Sequence, residues 1–438
     1  MNHRRTSPPP RAWTRREFVV GSGAAALAAA ASPSVIAAMA HPAGSDTIRV
    51  GVIGCGGRGT GAAENALEAD PGTIITALAD LYPERVEGCR KYLSEHEDFA
   101  SRAAVPAEAC FTGFDAYRRL LESGLVDMVI LATAPGFRPL HFEAAVAAGM
   151  HVFMEKPVAV DAPGVRRVIE AARRASEQKL SVVAGTQRRH ERSYLAAIDQ
   201  LRAGIIGDIV AARCYWNQGG LWVHERKPEY SDMEWQTRNW LYFCWTSGDH
   251  ICEQHIHNLD VINWALDATP IKCVGVGGRQ SRTEEKYGNI FDHFSIEYEY
   301  PRGIVVHSMC RQIEGTPGRC EEVFTGTRGT LITSPGRAEA TSAPGDALWK
   351  FSGENPSPYT QEHIDLFASI RNRRAVNEAR RVAESTLTAI MGRMAAYTGQ
   401  EITWDQALNS KLDLSPARYD FGPNPVAPTP TPGKTKFE

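Results

Sequence analysis

No Cys-x-x-Cys pair occurs anywhere in this chain. Its nine cysteines are scattered over 438 residues. An odd, unpatterned set in a chain of this length argues against both a disulfide framework and a structural zinc site. No stripe of basic residues and no long run of one charge is present, and the net charge is only −3. That balance speaks against a nucleic-acid surface or a charged interaction tail. Only the N-terminal region carries an apolar run near the ~18 residues a membrane helix requires.

The composition that is there, 43% hydrophobic and 23% charged, is that of a soluble globular protein. The length admits two domains, each with its own core. The N-terminus stands apart. Thr14–Val20 reads TRREFVV, with Arg15 and Arg16 adjacent, and an Ala-rich apolar run follows to about Ala40. Ala38–Ala40 places small residues where a signal peptidase cuts. The pattern resembles a twin-arginine signal over residues 1–40. It implies the twin-arginine translocation machinery as a partner and a periplasmic or otherwise exported location. A short membrane anchor is the alternative, although Gly21, Gly23 and Pro33 interrupt the run.

From Thr47 onward, apolar strands alternate with helical stretches. The strands are Ile48–Gly54, Thr73–Asp80, Val126–Thr133, His151–Glu155 and Leu180–Gly185. This alternation predicts an α/β domain over 47–186 with a doubly wound parallel sheet. Beyond Gln187 the texture changes to strand-like segments joined by turn sequences such as Tyr300–Gly303 and Gly326–Thr330. That predicts an α+β domain over 187–408 with a large, mostly antiparallel sheet. Late helices at 361–398 could pack back on the first domain. The stretch 409–438, Pro-rich from Pro416, reads as an extended surface tail.

Gly54–Gly59, GCGGRG, fits G-x-G-x-x-G in a telling context. It follows a strand, opens a helix and has Asp80 at the end of the next strand. Gly54 permits the tight turn, Gly56 admits a pyrophosphate to the backbone, and Gly59 lets helix and strand close up. The helix N-terminus attracts phosphate. Gly57, Arg58 and Thr133 complete the expected cradle. A carboxylate at Asp80 can accept hydrogen bonds from ribose hydroxyls and would repel a 2′-phosphate, so NAD is favoured over NADP.

Met154–Val160, MEKPVAV, adds a far more specific signal. A nucleotide fold with Glu155-Lys156-Pro157 at the end of a later strand resembles the glucose–fructose oxidoreductase/inositol dehydrogenase (Gfo/Idh/MocA) family, from about Thr47 to about Leu408. Residues 390–408 are also similar to exported members. The resemblance implies hydride transfer between a nicotinamide and a carbinol carbon of a sugar or cyclitol. It implies Glu155, Lys156 and Pro157 at the cofactor, with Lys156 reaching the reacting hydroxyl. The family often assembles into dimers or tetramers.

The resemblance also bears on Ser247–Leu266, SGDHICEQHIHNLDVINWAL. It places His257 on the family histidine and Glu253, where an Asp is usual, one turn earlier. If the stretch is one helix, both share a face. His257 suits a general base, and Glu253 would orient it. A metal held by His250, Glu253 and His257 is the competing reading, although no H-E-x-x-H pattern appears; no metal is expected. His255 and Asp249 read as structural, with Asp249 or Ser247 capping the helix. Gln187, Arg188 and Arg189 lie where the domains should meet, either to hold substrate or as interdomain salt bridges. The long loop of residues 215–245 carries Trp216, Trp222, Trp235, Trp240 and Trp245, with Arg226, Lys227 and Arg238. Trp216 and Arg238, with Gln187 and Arg188, are the substrate candidates. The leading expectation is an exported, NAD-dependent oxidoreductase with a tightly held cofactor; a glycosidase acting through transient oxidation is the alternative, and a non-catalytic sugar-binding protein on the same fold the second alternative.

Overall fold

The computed structural model describes residues 46–437. The signal expected over residues 1–40 lies outside them. Six strands, β1 (Ile48–Ile53), β2 (Thr73–Asp80), β3 (Cys110–Thr112), β4 (Met128–Leu131), β5 (His151–Met154) and β6 (Val182–Ala184), form one sheet in the order β3-β2-β1-β4-β5-β6. Every pairing is parallel. Helices cover both faces, which is why β4 is buried at every position and β1 at all but one. Strand order reverses between β1 and β4, so a crevice opens at the carboxyl ends of those strands, where such sheets bind ligands.

The second sheet has nine strands. They are β7 (Ile209–Gln218), β8 (Lys272–Gly278), β9 (His293–Tyr300), β10 (Ile304–Gln312), β11 (Arg319–Gly326), β12 (Gly329–Ser334), β13 (Arg337–Ser342), β14 (Ala347–Lys350) and β15 (Ile402–Thr403). Their order is β14-β13-β12-β11-β7-β10-β9-β8-β15. All pairs are antiparallel except β7 with β10. Burial alternates along β10, so one face packs and the other looks outward. Helix Ala379–Thr398 lies on the packed face, where the Tyr298 hydroxyl donates to Thr388 O at 3.0 Å. The fold class therefore matches the sequence expectation. The short edge strand β3 and the strands after β11 carried too little pattern to be read.

Helix Pro358–Arg371 packs against helix Gly57–Ala69 and adds Leu366 and Phe367 to the core around Val50 and Ile130. Arg371 pins it there through Asp70 at 2.6 Å. Buried Arg393 donates to Val160 O at 2.7 Å and to Gly248 O at 2.8 Å. It thereby ties the segment after Lys156 to the segment before Glu253.

One expectation is corrected. Ser247–Leu266 is not a continuous helix but two short pieces, Cys244–Ser247 and His250–Glu253, followed by helix Ile256–Leu266. Asp249 has φ +71° and caps His250 N at 2.5 Å while also accepting from Phe291 N at 2.7 Å and from the Tyr397 hydroxyl. These tertiary bonds fix the first break. The second falls in the turn at Gln254 and His255.

Candidate active site

The glycine loop behaves as its spacing predicts. Gly54 has φ +102°, and a Cβ there would sit 2.5 Å from Thr133 N. A Cβ on Gly59 would lie 1.7 Å from Gly54 O. Those two glycines are required by the protein itself. Gly56 is different: its nearest neighbour would be Arg85 Nη1 at 3.4 Å, and Gly57 has nothing within 4 Å. Helix Gly57–Ala69 has no side-chain cap at its N-terminus. Free N–H groups beside an open position make an anion cradle.

The cradle opens into a cavity of about 610 Å³ whose walls include Gly54, Gly56, Gly57, Arg58, Asp80 and Thr133. Trp222, His224, Thr237 and Trp240 from the second domain close its other side. The residues present fit a dinucleotide. Asp80 accepts from Cys55 N at 2.7 Å and Tyr82 N at 3.0 Å, which aims its carboxylate at the loop. Burial pushes this carboxyl upward, partly offset by those bonds and by Arg85. Sequence reading missed Arg85, a cation beside the position where ribose hydroxyls would lie. Thr133 bonds His141 at 3.1 Å on the cavity wall.

Glu155 lies beneath the loop and forms an ion pair with Arg58. Burial alone would raise its carboxyl, but Arg58 and Lys156 hold it below the usual range. Glu362, buried 3.6 Å from the Arg58 guanidinium, has no hydrogen-bond partner on either oxygen. Burial and the neighbouring Glu155 push the Glu362 carboxyl well upward, against the pull of Arg58.

Lys156 Nζ donates to Glu253 O at 2.5 Å and to Glu253 Oε1 at 3.0 Å. Both side chains are nearly enclosed, at 12% and 9% exposure. His257 lies within the field of Lys156. Burial first, then Lys156 and Arg188, push the imidazole well below its ordinary value, so it is neutral. Its Nδ1 is buried without a partner, and its ring stacks on Trp216 at 5.6 Å. The expected Glu253–His257 pairing does not form, because the turn at Gln254 rotates Glu253 onto Lys156. The same turn separates Glu253 from the face expected to hold a metal, and His250 Nε2 instead faces Trp216 O at 3.3 Å. Among the described residues no group of three or more His, Cys, Asp or Glu is arranged to hold a metal ion.

The remaining candidates divide. Trp216 joins the centre through His257. Gln187 Nε2 reaches the Tyr359 hydroxyl at 3.3 Å, and its Oε1 is buried without a partner. Arg188 is not free to hold substrate: it is buried against Glu322 at 2.5 Å and lies over the Trp216 ring. Arg189 pairs with Asp260 at 2.7 Å. Both arginines are salt bridges between the segment after β6 and the second domain. Arg238 sits at the Asp80 end of the cavity, paired with Glu84 at 2.7 Å and lying 3.8 Å from the Tyr82 ring centroid. It is drawn there by a carboxylate on helix Pro83–Glu95, away from Lys156. Of the other tryptophans, Trp222 and Trp240 line the cavity, whereas Trp235 is buried under Phe243 and Trp245 packs on Phe137. His255 bonds Ser308 at 2.7 Å and is structural.

Comparison with known proteins bears on the fold and on the nucleotide-binding domain. Residues 48–183 match the family described as "Oxidoreductase family, NAD-binding Rossmann fold" (GFO_IDH_MocA). A glycosyl hydrolase family 109 protein of Streptomyces coelicolor is 27% identical over 324 residues, 70% of this chain and 63% of its own length. An inositol 2-dehydrogenase of Paracoccus denitrificans is 27% identical over 263 residues, 59% of this chain and 66% of its own. The chain thus spans less than two thirds of these curated relatives. The crystal structure of an aldose-aldose oxidoreductase from Caulobacter crescentus shares the fold, with a TM-score of 0.63 at 15% identity, covering 82% of this chain and 99% of that one. Residues 48–183 thus match the NAD-binding Rossmann domain of the Gfo/Idh/MocA oxidoreductase family, and the chain is similar to inositol dehydrogenases and glycosyl hydrolase family 109 proteins.

Proposed function

We propose that the chain is an exported NAD-dependent oxidoreductase that transfers a hydride between a tightly held nicotinamide and a secondary alcohol of a sugar, glycoside or cyclitol. The observation that carries this reading is Lys156, just past the end of β5, bonded to Glu253 and acting on the buried His257 imidazole, next to Glu155, whose partner Arg58 lines the glycine-loop cavity. A nicotinamide held there would supply the hydride acceptor. As hydride leaves the carbinol carbon, the hydroxyl proton needs a base, and the neutral His257 imidazole can take it. The Lys156 ammonium stabilises the developing alkoxide. Glu253 holds that ammonium in place, and Trp216, clamped by Arg188, holds the imidazole plane.

The buried Asp80 carboxylate supports NAD over NADP, although Arg85 beside it weakens that preference. An exported enzyme meets little free NAD, so each cycle must restore the cofactor. Oxidation of one sugar paired with reduction of another does so. The alternative is glycoside cleavage, in which a transient ketone acidifies the neighbouring C–H, the glycosidic bond breaks by elimination with the leaving group taking a proton, water adds to the resulting enone, and the ketone is reduced again. The glycosyl hydrolase family 109 relatives favour keeping this second reading. Association of copies through the outward sheet face is part of the proposal. There Val276, Ser295 and Met309 stand side by side in register, and Val276 is 69% exposed.

The test is to purify the protein, denature it and identify any released dinucleotide. Sugars and glycosides are then added to the native protein while nicotinamide absorbance is followed. Bound NAD that changes redox state supports the reading. A protein that binds sugar without any redox change is a sugar-binding protein on this fold and overturns it.

A further inference from the structure

Among the described residues after helix Trp404–Asn409 there is no further helix or strand, yet specific contacts hold this stretch in place. Leu414 N donates to Asp161 Oδ2 at 2.8 Å. The chain then follows the rim of the cavity. The Tyr419 ring lies 5.6 Å from Phe137, and the Phe421 ring lies edge-on to Phe114 at 5.1 Å and 6.1 Å from Tyr82. Tyr82, Phe114 and Phe137 all line the cavity. The tail therefore backs three wall residues from outside.

The same stretch is bonded to the opposite side. Gly422 O accepts from Met233 N at 3.1 Å, Asn424 N donates to Asp232 Oδ2 at 3.1 Å, Gln236 Nε2 donates to Asn424 O at 2.5 Å, and the Asn424 side-chain Nδ2 donates to Gln236 Oε1 at 2.9 Å. Asp232, Met233 and Gln236 belong to helix Asp232–Arg238 of the second domain, which itself reaches across the cavity. Its Thr237 hydroxyl meets the Tyr82 hydroxyl at 2.6 Å.

Phe421 is 45% exposed, so its burial contributes little to folding. Its place between Tyr82 and Phe114 is what distinguishes it. Those two residues follow β2 and β3, on the half of the sheet where the adenosine of a dinucleotide lies relative to the switch point. We infer that residues 413–425 form a third wall of the dinucleotide site, a clasp through Tyr419, Phe421 and Asn424 that keeps the adenosine end closed over the bound cofactor. This rests on the reading above that the cavity takes a dinucleotide. A bound molecule leaves only when the tail lifts and the aromatic rim is released. The clasp thus acts chiefly on dissociation, as retention through many turnovers requires.

The experiment uses the full chain and Phe421→Ala/Asn424→Ala, each loaded with NAD, and follows exchange of the bound cofactor for excess labelled NAD. The expected result is exchange at least ~10-fold faster in the variant, with an unchanged circular-dichroism spectrum. Exchange at the wild-type rate overturns the clasp, even if the variant melts earlier, because a merely structural tail would change only stability. Hydrogen exchange of the tail amides in the wild-type chain gives a second arm that needs no folded variant. Slower exchange at residues 419–424 when NAD is bound is expected, and indifference to NAD overturns the clasp. A wild-type chain that neither carries nor binds NAD or NADP overturns the cavity reading and the clasp together. The first two failures leave the cavity reading standing.

Discussion

The glycine loop allows stability and cofactor binding to be separated by three single substitutions. Gly59→Ala puts a Cβ 1.7 Å from Gly54 O, about half the distance of an ordinary contact. That neighbour is backbone, so the helix or the turn must move. Overpacking of this kind costs about 3 kcal/mol or more. Alanine in place of glycine in a helix returns about 1 kcal/mol. The net expectation is a loss of about 2 kcal/mol or more, whether or not cofactor is present. Gly56→Ala meets no protein atom nearer than 3.4 Å, so stability should change by no more than about 0.5 kcal/mol. Its methyl would instead occupy the space of the pyrophosphate. Losing one or two charge-assisted hydrogen bonds, at about 1.5–3 kcal/mol each, weakens NAD by about 3 kcal/mol, roughly 100-fold in Kd. Gly61→Ala, in the same helix with no protein atom nearer than 3.8 Å, is the control for helix propensity. Denaturant unfolding of the cofactor-free proteins and calorimetric NAD titration measure both quantities. Wild-type NAD affinity in Gly56→Ala would refute the pyrophosphate placement, and wild-type stability in Gly59→Ala would refute the close approach.

Lys156→Ala and His257→Ala should each keep bound dinucleotide and lose turnover by about 10²-fold or more; full activity in either removes that residue from the mechanism. Arg188→Met strands buried Glu322 and should destabilise the chain by about 3–5 kcal/mol in chemical unfolding, whereas an arginine that merely held substrate would raise KM and leave stability alone. His190 carries a pH prediction. Burial alone would lower its imidazole, but Asp365 at 2.5 Å and Glu378 at 3.6 Å prevail and raise it from 6.5 to about 10. Its folded value lies above its unfolded one, so its stabilisation is complete below about pH 6.5 and is lost as pH rises to about 10. Wild type should therefore lose stability across that window relative to His190→Gln, and parallel unfolding profiles would contradict the pairing.

The features that the sequence made legible act within a few residues of themselves. The turn at Gly54, the close approach at Gly59 and the carboxylate at Asp80 each do their work inside one strand–helix–strand unit, so spacing alone locates them. Glu155-Lys156-Pro157 was legible through family resemblance, because the triplet sits at a strand end that the alternating pattern already places. The misread features depend on partners far along the chain. Ser247–Leu266 has the spacing of a helix throughout, yet Asp249 takes φ +71° because Phe291 and Tyr397 bind its carboxylate. No pattern within the stretch records those two residues. The same holds for the three cationic candidates. Arg188, Arg189 and Arg238 are indistinguishable as free cations in the sequence, and each is claimed by a distant carboxylate: Glu322, Asp260 and Glu84.

The tail makes the point most sharply. Proline-rich composition predicts an extended chain, because it removes backbone donors and fixes φ. It is silent about what an extended chain lies against, since nothing periodic marks a face. Here the decisive contacts join Phe421 to Tyr82 and Phe114, residues from the first third of the sequence. A segment that composition alone would discard as surface is therefore where the cavity acquires an outer wall, and where the proposed clasp places control of cofactor exchange.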